Sequence, residues 1–144
     1  MKAVNVCVVT ERPLRPEEML DIVSDPHHGA QALFIGVVRA RHEGRVVSSV
    51  TYDAFAPLAE KVLGEISAEA SKRFSARIAV GHRLGTLDVG ETSVIVAAGS
   101  EHRGEAFDAC RFVIEQIKTR LPVWKKEHGS DGSQRWLDGC ALRR

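Results

Sequence analysis

Apolar residues recur along this chain in two rhythms, and the switches between them mark its elements. Residues 2 to 10 alternate like a strand. Pro16 then opens a short helix through Met19, Leu20, Ile22 and Val23, with Glu17 and Glu18 in its first turn. Ala30 to Arg39 is rich in β-formers and alternates little, which predicts a strand buried on both faces. Arg39 to Arg45 is a polar turn. Val46 to Phe55 returns as a second strand, with Val46, Ser48, Val50 and Tyr52 on one face.

Pro57 starts a helix in which Leu58, Ala59, Val62, Leu63, Ile66, Ala70 and Phe74 recur at helical spacing. Arg77 to Leu84 and Thr92 to Gly99 read as two strands joined by a turn at Leu87 to Glu91. A last helix covers Gly104 to Arg120, with Ala106, Phe107, Cys110, Val113, Ile114 and Ile117 toward the core. Pro122 ends it, since its ring removes a donor and holds the preceding residue out of helical geometry. Two short strands follow, Val123 to Glu127 and Gln134 to Leu137. The fold class is α/β of the α+β kind: residues 1–144 form a single domain of mixed antiparallel sheet with helices, not a doubly wound nucleotide fold.

Composition narrows the function. The 144 residues carry a net charge of +1, so the global basic excess of a protein that binds long nucleic acid is lacking, and any anion site must be a local concentration of cations. No apolar run approaches the roughly 20 residues of a membrane helix. The start of the chain has no secretory pattern, which makes the cytoplasm the expected compartment. Cys7, Cys110 and Cys140 are odd in number and far apart, so neither a disulfide framework nor a zinc knuckle is indicated. The histidines show no His-x-His or His-Glu-x-x-His spacing, and no metal site is expected. No phosphate loop or nucleophile elbow occurs.

Three features carry candidate chemistry. Ser100-Glu101-His102-Arg103-Gly104 lies where a strand passes into a helix. A helix N-terminus attracts anions, and cations in its first turn cost about 0.3–1 kcal/mol each. Glu101 and Glu105 obey that preference; His102 and Arg103 break it. Either both bend into solvent, or a bound phosphate supplies the missing negative charge. Lys118 borders the apolar stripe of the last helix, so its amine either snorkels outward or enters a cleft. Beyond Pro122 the chain is extended, so Lys125 and Lys126 face opposite ways and one of them can share a cleft with Lys118. Arg39, at the end of a buried strand, must emerge at a sheet edge or meet an anion.

Together these segments resemble the large, catalytic subunit of molybdopterin synthase, the MoaE family. The likeness is carried by Phe34-Ile35-Gly36-Val37-Val38-Arg39, Tyr52-Asp53-Ala54-Phe55-Ala56-Pro57-Leu58-Ala59 and His82-Arg83-Leu84-Gly85. It continues through Ser100-Glu101-His102-Arg103, Lys118 to Glu127, and Arg135-Trp136.

The resemblance implies the α/β-hammerhead fold of that subunit and a sulfurtransferase of molybdenum cofactor biosynthesis. Sulfur from the C-terminal thiocarboxylate of a small ubiquitin-like partner, on a Gly-Gly tail, is passed to cyclic pyranopterin monophosphate to form the dithiolene. It also implies no cofactor, and a homodimer within a heterotetramer that has one small subunit at each end. By motif, His102 and Arg103 hold the substrate phosphate with Arg39. Lys118 and Lys125 are the catalytic pair, and Val37, Val38, Lys126 and Glu127 complete the substrate pocket. Position 37 is Val where relatives can be basic, and Arg143 or Arg144 stands nearest to an arginine that in some relatives reaches the neighbouring subunit. Two other readings remain open: an adaptor that docks a ubiquitin-like tail without binding a pterin, and a persulfide carried on Cys110 or Cys140.

Overall fold

The computed structural model describes residues 4–137. In chain order the elements are β1 (Val6–Thr10), α1 (Pro16–Ile22), β2 (Ala30–Val37), β3 (Arg41–His42), β4 (Arg45–Val46), β5 (Ser49–Asp53) and α2 (Ala56–Phe74). They continue with β6 (Ala76–Arg83), β7 (Gly85–Asp88), β8 (Thr92–Ser100), α3 (Arg103–Arg120), β9 (Trp124–His128) and β10 (Gln134–Leu137). The expected α+β class holds, with one refinement. The strands divide into a mixed sheet ordered β1-β6-β8-β2, an antiparallel sheet ordered β10-β9-β5-β7, and the separate hairpin β3-β4.

The core follows from the apolar stripes. β6 and β8 are central strands, and Ile78, Val80, Val94, Val96 and Ala98 turn one face of the first sheet toward α2 and α3. Leu63 and Ile66 of α2 and Val113 of α3 are fully buried against it, each contributing about 1.5–3 kcal/mol of burial. The opposite face packs Ala79, Ile95 and Ala97 on Met19 of α1 and on Val23, which caps its C-terminal end. A smaller cluster of Val38, Val47, Val50 and Leu87 fills the second sheet, with Tyr52 against it.

Four expectations are corrected. β2 is not buried on both faces: Leu33, Ile35 and Val37 are 39%, 39% and 53% exposed. It lies at the sheet edge, and the seven-residue α1 is too short to cover its outer side. The second strand breaks in two, because Val47 turns inward at 4% exposure while Val46 is 53% exposed. β4 therefore pairs with β3, and β5 joins the second sheet. The link between β6 and β8 contains β7, which pairs with β5 rather than serving as a plain turn. Finally, Phe107 and Leu58 are 64% and 46% exposed although their helical spacing placed them on the core stripe.

Candidate functional site

The two main sheets meet where β2 ends, and the chain makes a cleft of about 400 Å³ there. Each wall has a local cause. Val38 is tied to the β7–β8 turn by Val38 N–H to Glu91 O (3.0 Å) and Gly90 N–H to Val38 O (2.7 Å). That pairing carries Arg39 past the sheet edge into the cleft. Lys118 comes from the last turn of α3, where a cation also suits the helix dipole. Leu121-Pro122-Val123 ends that helix, and β9 begins immediately. Lys125 then stands opposite Tyr52 in the β5–β9 ladder and faces the cleft with Glu127.

Of the nine residues singled out in the sequence, the cleft brings together Val37, Val38, Arg39, Lys118, Lys125 and Glu127. Lys126 has the opposite parity and lies on the outer face, its ammonium 5.1 Å from the centroid of the Trp136 ring. His102 and Arg103 stand at the far end of α3, about 22 Å from Lys118 at a rise of 1.5 Å per residue. His102 is the N-cap, in extended geometry and without a side-chain capping bond. Its ring nitrogen is 3.4 Å from Glu101 Oε1, with both side chains about three-quarters exposed. Cys140, Arg143 and Arg144 lie outside the described residues.

The sequence reading missed His42, Tyr52 and Ser93 as cleft residues. Tyr52 was visible as an inward position of an alternating strand, but nothing local marked His42, whose partner is eighty-five positions away in Glu127.

The electrostatics report convergence. His82 is 7% exposed behind Tyr52, and its Nδ1 lies 2.9 Å from the Arg83 carbonyl oxygen. Burial pushes its pKa down to about 4; the bond to Arg83 opposes this, while the charges of Lys118 and Lys125 add to it. Two lysines from different elements thus act on one buried ring. Burial also raises the Tyr52 hydroxyl, against a hydrogen bond with Ser93. Cys110 is pushed up to about 11 by burial, which disfavours the thiolate that a persulfide carrier would use. Among the described residues no three His, Cys, Asp or Glu side chains gather as a metal site. Nor is any described helix long and apolar enough to cross a membrane.

A cleft with an arginine and two lysines, set at the junction of two sheets in an α+β domain, is of the enzyme-like class whose charge suits a small anionic molecule. The sequence pattern of the MoaE protein family matches residues 9–120, and the chain belongs to that family. The molybdopterin synthase catalytic subunit of Synechococcus elongatus is 43% identical over 132 residues, spanning 90% of this chain and 80% of its own. That of a Nostoc species is 41% identical over 131 residues, covering 90% and 79%. The crystal structure of molybdopterin synthase from Staphylococcus aureus superposes with a TM-score of 0.86 at 30% identity, covering 96% of this chain and 98% of that one.

Proposed function

We propose that this chain is the catalytic subunit of a molybdopterin synthase, a sulfurtransferase of molybdenum cofactor biosynthesis. It accepts the thiocarboxylated Gly-Gly tail of a small ubiquitin-like subunit and transfers the sulfur to cyclic pyranopterin monophosphate. The observation that carries the reading is the meeting of Lys118, Lys125 and Arg39 in one cleft. Lys118 and Lys125 are the catalytic residues; their ammonium groups stabilise negative charge that develops as sulfur leaves its acyl carbon. Arg39 binds the substrate phosphate, and Val37, Val38 and Glu127 shape the pocket. The reaction belongs in the cytoplasm, a compartment in which Cys7 and Cys110 stay as free thiols.

His102 and Arg103 join this site in a homodimer, which with two small subunits makes a heterotetramer. Among the described residues β2 has an open edge, an exposed stripe of Leu33, Ile35 and Val37, and an adjoining apolar groove of about 420 Å³ against α3 that includes Phe107. Pairing of β2 with its own symmetry mate is antiparallel. It sets the Ala30 end of one strand beside the Val37 end of the other. Ala30 pairs with Ser100, so the start of α3 travels with that end. The partner subunit's His102 and the partner subunit's Arg103 are thereby brought to the phosphate. Their uncapped helix start, at odds with dipole preference within one chain, acquires its counter-charge there. Lys126 borders the entry for the tail.

The test is turnover of cyclic pyranopterin monophosphate by the purified chain with a thiocarboxylated small subunit. Dithiolene forms with the native chain and is lost with Lys118→Ala, whose thermal melting stays native. Unchanged turnover in Lys118→Ala removes the assigned role. An absence of heat on titrating the pterin into the chain would favour the adaptor reading.

A further inference from the structure

The hairpin β3–β4 belongs to neither main sheet, yet it holds a histidine at the cleft wall. Its tip is a two-residue turn with Glu43 and Gly44 at φ 51° and 77°, the left-handed pair that suits a tight hairpin. Two contacts pin it to the second sheet. Arg135 Nη2 of β10 lies 2.6 Å from Glu43 Oε1, and His42 Nδ1 lies 2.6 Å from Glu127 Oε2. The second is a close polar contact whose geometry falls short of a hydrogen bond.

Glu127 is 7% exposed in a cleft built for anions, where an unpaired carboxylate would oppose the guest. Its two oxygens face away from that task, one toward His42 and the other, at 4.0 Å, toward Arg135. His42 Nε2 lies 4.0 Å from Glu43 Oε2, so the ring is bracketed by two carboxylates while its side chain remains 24% exposed. A carboxylate and an imidazole in contact on the wall of one cleft are the parts of an acid–base device.

We propose that His42 is a further catalytic residue, the base that frees the transferred sulfur from its carrier, and that Glu127 is its positioning residue. This rests on the sulfur-transfer reading. A thiocarboxylate sulfur that has bonded to the pterin carbon is still bonded to its acyl carbon, and the group is then a thioester. Release requires water: its oxygen bonds to the acyl carbon, the acyl C–S bond breaks, and the electron pair leaves with sulfur as a thiolate. His42 Nε2 takes the proton from the attacking water and passes it to solvent. The carboxylic acid left on the carrier gives up its own proton to become a carboxylate. Glu127 and Glu43 compensate the imidazolium formed in between.

The experiment follows the reaction of His42→Gln with thiocarboxylated small subunit and cyclic pyranopterin monophosphate by intact-mass spectrometry. The expected result is a carrier–pterin adduct that accumulates and is cleaved by hydroxylamine, with product release slowed roughly 100-fold. Glu127→Gln gives the same adduct, and the double variant is no slower than His42→Gln, as for residues acting as a unit. An unfolded protein could not build the adduct, so its appearance excludes a purely structural effect. Release at the native rate without adduct, or a slowed reaction with no adduct at any time, overturns the proposal. Failure of the native chain to convert the pterin would instead overturn the sulfur-transfer reading beneath it.

Discussion

His82 stands edge-on to Tyr52, their ring centroids 5.2 Å apart and their planes at 69°. Tyr52 lines the cleft and His82 does not, so this contact joins the central strand β6 to the working surface.

The first prediction concerns pH. The folded protein keeps His82 neutral down to about pH 4, whereas an ordinary histidine titrates near 6.5. Between those values the unfolded chain binds the extra proton, so its population is favoured as pH falls. The contribution of this ring to stability is complete above pH 6.5 and is lost toward pH 4, by up to about 3 kcal/mol. Urea midpoints at pH 7, 5.5 and 4.5 will decline more steeply in the native chain than in His82→Asn. Parallel declines would remove His82 as the cause.

The second separates neighbouring lysines. Lys125 faces the cleft and Lys126 lies over Trp136 on the outer face. Lys125→Ala is expected to lower turnover by at least about 100-fold. Lys126→Ala should weaken binding of the small subunit several-fold and leave the single-turnover rate at saturating partner near native. Stopped single-turnover assays at two partner concentrations distinguish these outcomes.

The third tests the shared site. Arg103→Ala and Lys118→Ala are each expected to be inactive as pure proteins. Mixed and allowed to exchange subunits, they form dimers in which one cleft keeps its own Lys118 and receives the partner subunit's Arg103. About a quarter of native activity should return. Ile35→Lys, which charges the open edge of β2, should yield monomers by light scattering and prevent that recovery. No recovery in a mixture shown to exchange would place both residues in the same chain's site.

A fourth concerns packing. A Cβ at Gly99 would fall inside contact distance of the Val23 carbonyl oxygen and 2.9 Å from His28 Nδ1. That carbonyl and that ring nitrogen already bond at 2.9 Å. Gly99→Ala should therefore cost about 1–3 kcal/mol in urea unfolding, by displacing the end of α1 from the sheet. A native midpoint would show that the α1 junction yields freely.

Much of this was legible locally. Pro16, Pro57 and Pro122 mark two helix starts and a helix end, and the observed elements respect all three. The opposite facing of Lys125 and Lys126 follows from extended backbone alone, and the cleft uses the first of them. The strand over 46 to 55 failed because alternation assumes one unbroken sheet partner. Val47 turns inward as the chain leaves the hairpin for the second sheet, and the parity slips there. β2 read as doubly buried because apolar content does not reveal whether a strand will lie at an edge.

Alone, then, the order of residues determined the elements, the helix boundaries and the kinds of side chain available for an anion. Those properties depend on neighbours a few positions away, through backbone sterics and periodicity. Tertiary structure decided which cations share a cleft. The straight span of α3 keeps His102 and Arg103 far from Lys118, while the hairpin carries His42 onto Glu127. Such meetings depend on where sheets end and cross, a property of the whole packed chain that no short stretch of sequence contains.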